Sequence, residues 1–222
     1  MILPENSADF RQLAGVQEHL TFQTMPAGSV FFSQGDTLKS FIFLRRGIAK
    51  VTRVSADGDE LVTELLLAGD LCGALCALDR RPYPVSALAV TEVEVAKLET
   101  SAFHRLSEQF PGLHRCSLEG CATKIRQQRA MMTSIALERI PRRLWKVFHV
   151  LAQRLAEPTP EGLRIPFPFS RQEVAEMIGA TNETVTRAFT GMKKAGELAE
   201  SRGYLTLLGQ HNLEGIEEQA AL

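Results

Sequence analysis

The stretch from Ser170 to Gly196, SRQEVAEMIGATNETVTRAFTGMKKAG, constrains the fold more than any other part of the chain. Arg171 to Ile178 places Val174, Met177 and Ile178 on one side of a short helix, with Ser170 as a cap-type residue immediately before it. Gly179 then breaks the helix. Thr181 or Asn182 can cap a second helix, in which Val185, Ala188, Phe189 and Met192 form a buried stripe while Glu183, Thr186, Arg187 and Lys194 face outward. Two such helices around a tight turn make a helix-turn-helix, whose second helix enters the DNA major groove. Arginine can donate two hydrogen bonds to guanine, a carboxylate can accept from the cytosine amino group, and a threonine methyl can touch the thymine methyl. Arg187, Glu183 and Thr186 supply all three. A polar helix face is also an ordinary solvated face, so the rest of the chain has to decide between the two.

With 222 residues, 45% of them hydrophobic, the chain can bury the cores of two modest domains. Its net charge of -1 gives no global nucleic-acid signature. Arg139, Arg142, Arg143, Lys146, Arg154, Arg171, Arg187, Lys193, Lys194 and Arg202 nevertheless crowd the last third, so DNA affinity has to come from one local face. No apolar run approaches the roughly 20 residues that span a bilayer, and MILPENSADFRQ lacks the regions of a signal peptide. A cytoplasmic protein with no membrane partner is expected. Its four cysteines are then expected to be reduced.

In chain order, residues 1–22 are a weakly patterned lead with a short helix expected around Ser7 to Leu13. From about Thr24 to Leu98 the runs SVFF, FIFL, IAKVTRV, LVTELLL, VSALAV and VEVAKL alternate with glycine turns, the pattern of an antiparallel barrel or sandwich. Between them LCGALCAL, Leu71 to Leu78, reads as a single helical turn in the barrel mouth, a common place for a ligand. Ser101 to Phe110 reads as a helix stopped by Pro111, and a longer helix runs from about Leu113 to Glu138. Along it Leu118, Cys121, Ile125, Gln128, Met132 and Ile135 recur at three- and four-residue steps, the seam of a coiled coil and hence of a homodimer, unless the stripe packs on its own barrel. Pro141 begins the next helix, carrying Leu144, Val147, Phe148, Leu151 and Leu155, and marks a hinge. A proline-rich connector, Glu157 to Phe169, then leads to the helix-turn-helix, and Leu198 to Leu208 reads as a closing hairpin or wing. The domains expected are therefore an effector-sensing barrel with flanking helices over 1–110, a dimerisation helix over 111–138 and a winged helix-turn-helix over 139–222.

The run FSQGD at Phe32 to Asp36, RRGIAKV at Arg45 to Val51 and AGDLCGALCAL at Ala68 to Leu78 resembles the cyclic-nucleotide-binding barrel. With the long helix and the helix-turn-helix behind it, nearly the whole chain resembles the CRP/FNR family of bacterial transcription regulators. The resemblance implies an α+β architecture: an N-terminal antiparallel barrel of jelly-roll type, a long dimerisation helix and a C-terminal winged helix-turn-helix. It also implies that Glu183 and Arg187 read a half-site resembling TGA, that Thr186 is the small hydroxyl residue of the FNR-like branch, and that Ser170, Gln172 and Thr181 lie near the phosphate backbone. Asn182 stands where the cyclic-AMP receptor branch has an arginine. A two-fold dimer would then read a pseudo-palindrome of TTGA-like half-sites about 34 Å apart. The implied partners are double-stranded DNA, a second copy of the chain, RNA polymerase if the protein is an activator, and a small-molecule effector of unidentified class.

The nucleotide-binding branch uses a glutamate for the ribose hydroxyl and an arginine for the cyclic phosphate. The matching positions here are Ala74, within Gly73-Ala74-Leu75, and Val85, beside Ser86. Losing the arginine removes a charge-assisted bond of about 1.5–3 kcal/mol, which argues against cyclic AMP. Arg81 is the nearest cation in sequence. The family's adenine-contacting positions correspond to Gln128 and Arg129. Cys72, Cys76, Cys116 and Cys121 raise a second effector hypothesis, a thiol or metal sensor. Against it, buried free cysteine is an ordinary core residue, the N-terminal cysteine cluster that holds iron-sulfur in FNR is missing, and haem would have to rely on His104 or His114. No cofactor is assigned, and neither cyclic AMP nor an iron-sulfur cluster is expected.

No nucleophile-base pair, phosphate loop or metal-ligand spacing supports catalysis. The favoured reading is a homodimeric regulator reading a palindrome under a signal other than cyclic AMP. The rival is a small-molecule or thiol/metal redox sensor whose helix-turn-helix serves protein contacts.

Overall fold

The computed structural model describes residues 16–208, apart from the side chain of Cys116. The helix expected around Ser7 to Leu13 lies outside them. Eight strands form two four-stranded antiparallel sheets. The first contains β1 (Thr21–Met25), β8 (Val93–Glu99), β3 (Ser40–Arg46) and β6 (Leu71–Cys72), in that order. The second contains β2 (Val30–Phe32), β7 (Ser86–Ala89), β4 (Ala49–Val54) and β5 (Glu60–Leu66), in that order. The chain thus crosses repeatedly between the two sheets, as in a jelly roll.

The apolar runs are explained by burial on both faces. In β3, Ile42 and Leu44 point into the sandwich with Phe32, Val51, Leu66, Val93 and Val95. The alternate residues Phe41 and Phe43 turn outward onto Phe103, Leu106 and Leu113. Those partners come from α2 (Thr100–Gln109) and the start of α3 (Gly112–Leu137), so the helices cover the outer face of the first sheet. Two short elements depart from the expectation: β1 begins earlier than Thr24, and Leu71–Cys72 is strand rather than helix, with α1 confined to Ala74–Asp79.

The second compact unit begins at Ala130, within α3. A boundary at Glu138 would respect the helix end, but packing divides the chain earlier, because Ile135 lies against Gly179 and Glu138 pairs with Arg142 and Lys146. α4 (Ile140–Leu155) starts with Pro141 in its first turn, where a proline loses no hydrogen bond. It buries Leu144, Phe148, Leu151 and Ala152. The expected connector after it is instead a hairpin, β9 (Glu157–Thr159) with β10 (Gly162–Pro166), which joins β11 (Leu198–Ser201) and β12 (Tyr204–Leu208) in a sheet ordered β11-β12-β10-β9. α5 (Arg171–Ile178) and α6 (Asn182–Lys194) complete the unit. Phe148, wholly buried, meets the rings of Trp145, Phe167 and Phe189 edge-on at 5.7–5.8 Å between centroids, closing the core under the helix pair. Among the described residues no helix is long and apolar enough to cross a membrane.

Candidate nucleic-acid interface

The start of α5 is fixed by a reciprocal capping box. The Ser170 hydroxyl accepts from the Glu173 backbone N–H, and Glu173 accepts from the Ser170 backbone N–H. Gly179 ends the helix at φ 61°, and a Cβ there would sit 3.2 Å from the Ile135 side chain. Thr181 then caps α6, its hydroxyl accepting from the Thr184 backbone N–H at 3.3 Å. Val174, Met177 and Ile178 of α5 are buried, as are Val185, Phe189 and Met192 of α6, and Ala188 is half-buried. The two helices are thereby locked apolar face to apolar face.

The opposite face of α6 is free. Asn182, Glu183, Thr186, Arg187, Thr190 and Lys194 are exposed along it. Glu183 and Arg187 form a loose pair at 3.9 Å with side chains 81% and 71% exposed, so both remain able to reach an outside partner. Thr186 donates to Asn182 Oδ1 at 3.2 Å, and Asn182 Nδ2 lies 3.5 Å from Gln172 Oε1, bringing α5 and α6 together at one edge. Gln172 also donates to Glu176. Ser170 and Thr181, matched to backbone-contacting positions, use their hydroxyls in the two caps. Ser170, Gln172, Asn182, Glu183, Thr186 and Arg187 all lie exposed on this one unit.

A charged cluster flanks the face. Glu200 on β11 accepts from Arg171 at 2.6 Å and pairs with Lys193 of α6, and the Arg171 guanidinium lies 3.7 Å over the Phe189 ring. Burial alone would raise the Glu200 carboxyl, but hydrogen bonds from Arg171 and Lys193 and their charges hold it below the ordinary value. The pairing of Arg171 with a residue far down the chain had no signal in local sequence pattern.

The effector candidates are dispersed in the barrel unit. Gly73 has φ 100°, and a Cβ there would meet Leu38 at 2.9 Å and the Tyr83 hydroxyl at 3.3 Å. Ala74 is buried toward the cluster of Phe41 and Leu71. Val85 instead packs on the sandwich interior with Phe32 and Tyr83, whose rings stack at 3.6 Å. Leu75 is exposed, and Ser86 accepts from the Gln34 backbone N–H. Gln128 and Arg129 are exposed on α3. Sequence reading missed a half-buried ion pair at the same helix: Lys124 of α3 meets Glu64 of β5 at 3.0 Å. Burial alone would lower the Lys124 ammonium, but Glu64, with Asp70 nearby, holds it above its ordinary value, while burial keeps the Glu64 carboxyl raised.

The helical turn expected over Leu71 to Leu78 does not hold Cys72 and Cys76 together. Cys72 belongs to β6 and Cys76 to α1, with the left-handed Gly73 between them, so the two do not share a helix face. Both are buried in the sandwich interior. Burial pushes the Cys72 thiol up to about 12, and raises Cys76 and Cys121 as well, the opposite of a reactive thiol. Cys121 is half-buried against the cluster of Leu71, Ala74 and Ala77 rather than standing out on the seam. Cys116 lies in α3, and its side chain is outside the description. Among the described residues no group of three or more His, Cys, Asp or Glu could hold a metal ion.

Of the expected seam, Leu118, Ile125 and Met132 are 57%, 50% and 70% exposed. Gln128 is exposed with them, whereas Ile135 is half-buried against Gly179.

Residues 22–110 match the cyclic nucleotide-binding domain family, and residues 138–216 match the Crp-like helix-turn-helix domain family. Over 215 residues the chain is 26% identical to a global nitrogen regulator from Synechocystis sp., covering 96% of this chain and 94% of that protein. It is 29% identical over 176 residues to the transcriptional activator protein FnrA of Stutzerimonas stutzeri, covering 79% of this chain and 71% of that protein. The solved structure of FixK2 from Bradyrhizobium japonicum superposes with a TM-score of 0.75 at 16% identity, covering 90% of this chain and 96% of that one.

Proposed function

The chain belongs to the CRP/FNR family of transcription regulators, and on that premise we propose that it acts in the cytoplasm as a homodimer that reads TTGA-like half-sites of a palindrome. It is a DNA-binding regulator and not an enzyme. The observation that carries the finer reading is the exposed face of α6, where Glu183, Thr186 and Arg187 stand clear of the core on a helix pair whose starts are capped by Ser170 and Thr181 and whose apolar faces close on a buried aromatic cluster. Glu183 accepts from cytosine, Arg187 forks onto guanine and the Thr186 methyl meets thymine. Gln172, Ser170 and Thr181 supply backbone contacts beside them. Residues 111–138 supply the two-fold contact through Leu118, Ile125 and Met132, residues 1–110 hold the sensing barrel, and residues 139–222 read DNA. RNA polymerase is a partner if the regulator activates.

The effector in this reading is not cyclic AMP. The positions of the nucleotide branch's acid and arginine are Ala74 and Val85, and the sandwich interior beside Val85 is filled by Phe32, Tyr83 and Leu38. Selection of bound sequences from a random duplex pool tests the account. It predicts recovery of paired TTGA-like half-sites one helical turn apart; unrelated or unpaired sites would sink it.

A further inference from the structure

The wing acid Glu200 has no role in the base-reading face, yet it is held by cations from both helices of the helix-turn-helix. It accepts from Arg171 with both oxygens at 2.6 Å and binds Lys193 as well. Arg171 is the first residue of α5, between Ser170 and Gln172, and Lys193 lies in the last turn of α6. Beside the acid an open groove of about 530 Å³ is lined by Phe169, Ser170, Arg202 and Tyr204. The triad therefore lies at the border of the DNA-reading face and at the point where the wing meets α5.

We propose that Glu200 is an electrostatic brake on DNA binding: by holding Arg171 and Lys193 in an intramolecular triad, it withholds two cations from the phosphate backbone and lowers the sequence-independent part of the affinity. This rests on the DNA-binding reading above. A Lys or Arg that contacts a phosphate releases counterions and steepens the salt dependence of binding, whatever the base sequence. A cation already paired with a carboxylate contributes little of this, and the carboxylate itself repels the backbone. The Arg171 side chain is further restrained by its stacking on the buried Phe189 ring, so it has little freedom to swing to a phosphate while Glu200 holds it. Lys193 is 43% exposed on a flexible stem, and release of this residue is the larger expected gain.

The test compares the full-length protein with Glu200→Gln, which keeps the shape and removes the charge, on a TTGA palindrome and on an unrelated duplex across a salt series. Trp145 fluorescence confirms the fold of each variant. Glu200→Gln is expected to bind both duplexes about tenfold more tightly at low salt, with a log affinity against log salt slope steeper by about 0.9 for each cation released. Lys193→Gln alone leaves the slope unchanged, and in the Glu200→Gln background it reverses part of the gain. A folded Glu200→Gln protein with wild-type affinity and slope on the unrelated duplex overturns the brake, as does a Lys193→Gln change that weakens binding equally with and without Glu200. Failure of the wild type to bind either duplex overturns the DNA-binding reading, and the brake with it.

Discussion

Arg143 donates from Nη1 to the backbone carbonyl of Ile178 at 3.0 Å, binding α4 to the last turn of α5. The same guanidinium reaches Gly179 O at 3.3 Å, Ile135 O at 2.6 Å and Glu138 O at 3.0 Å. One side chain thus satisfies carbonyls left open at the C-termini of two helices, and its positive charge sits at the negative ends of both. The end of α3 and the turn of the helix-turn-helix are held by a single fork.

Removing that fork should loosen the whole C-terminal unit. Arg143→Ala is expected to cost about 2–4 kcal/mol, because several partly buried carbonyls lose a charged donor. Arg143→Lys should restore only part, since an ammonium cannot span the same acceptors. Trp145 is the sole tryptophan and lies on α4, so its fluorescence during denaturant unfolding reports on this unit alone. Equal stability of wild type and Arg143→Ala would remove Arg143 from the account.

Acid should loosen the same unit. Burial alone would raise the Glu138 carboxyl, but hydrogen bonds from Lys146 and Ser134, with the charges of Lys146 and Arg142, hold it below its ordinary value, and Glu200 is held low in the same way. Both carboxyls therefore bind protons less readily folded than unfolded. Their stabilisation is complete above the unfolded value near pH 4.5 and is lost as pH falls through the lower folded values. Denaturant midpoints from Trp145 should fall with pH in that window, and less so in Glu138→Gln. An unchanged pH dependence in that variant would contradict the assignment.

Thiol chemistry should be slow in the folded barrel. With Cys72 raised to about 12 by burial, its thiolate is scarce at neutral pH. Mass spectrometry after brief alkylation should find Cys72 and Cys76 unmodified until denaturant is added. Rapid labelling of either in the native protein would revive the redox-sensor reading.

The apolar residues along α3 predict the oligomeric state. Ile125→Glu places a charge between Leu118 and Met132 on the exposed stripe, and light scattering should show a dimer for the wild type and a monomer for the variant. A dimer unchanged by Ile125→Glu would place the contact elsewhere.

The helix-turn-helix is legible in the sequence because its signals are local: a cap, a left-handed glycine and a second cap within twelve or so residues of helix-forming pattern. FIFL is legible as a strand because both of its faces are buried. The hairpin of β9 and β10 is hidden by Pro158, Pro160 and Pro166, which the sheet tolerates at its edge and strand ends. Cys72 and Cys76 read as one helix because Gly73, at φ 100°, looks in the sequence like a small neighbour and not like the break between strand and helix. The pairs Arg171–Glu200 and Glu64–Lys124 join distant segments, and no periodicity could announce them.

Arg187 on the exposed face of α6 is the proposed base-reading contact on which the function rests. The most direct measurement is a titration of the purified protein against a TTGA-type palindrome, reduced and oxidised, with and without cyclic AMP, beside Arg187→Ala. Tight, sequence-specific binding by the wild type, improved by neither oxidant nor cyclic AMP, is expected. Arg187→Ala, with the fold intact, should lose about 1–3 kcal/mol per half-site. Wild-type binding that ignores the palindrome, or that survives Arg187→Ala undiminished, would contradict that contact.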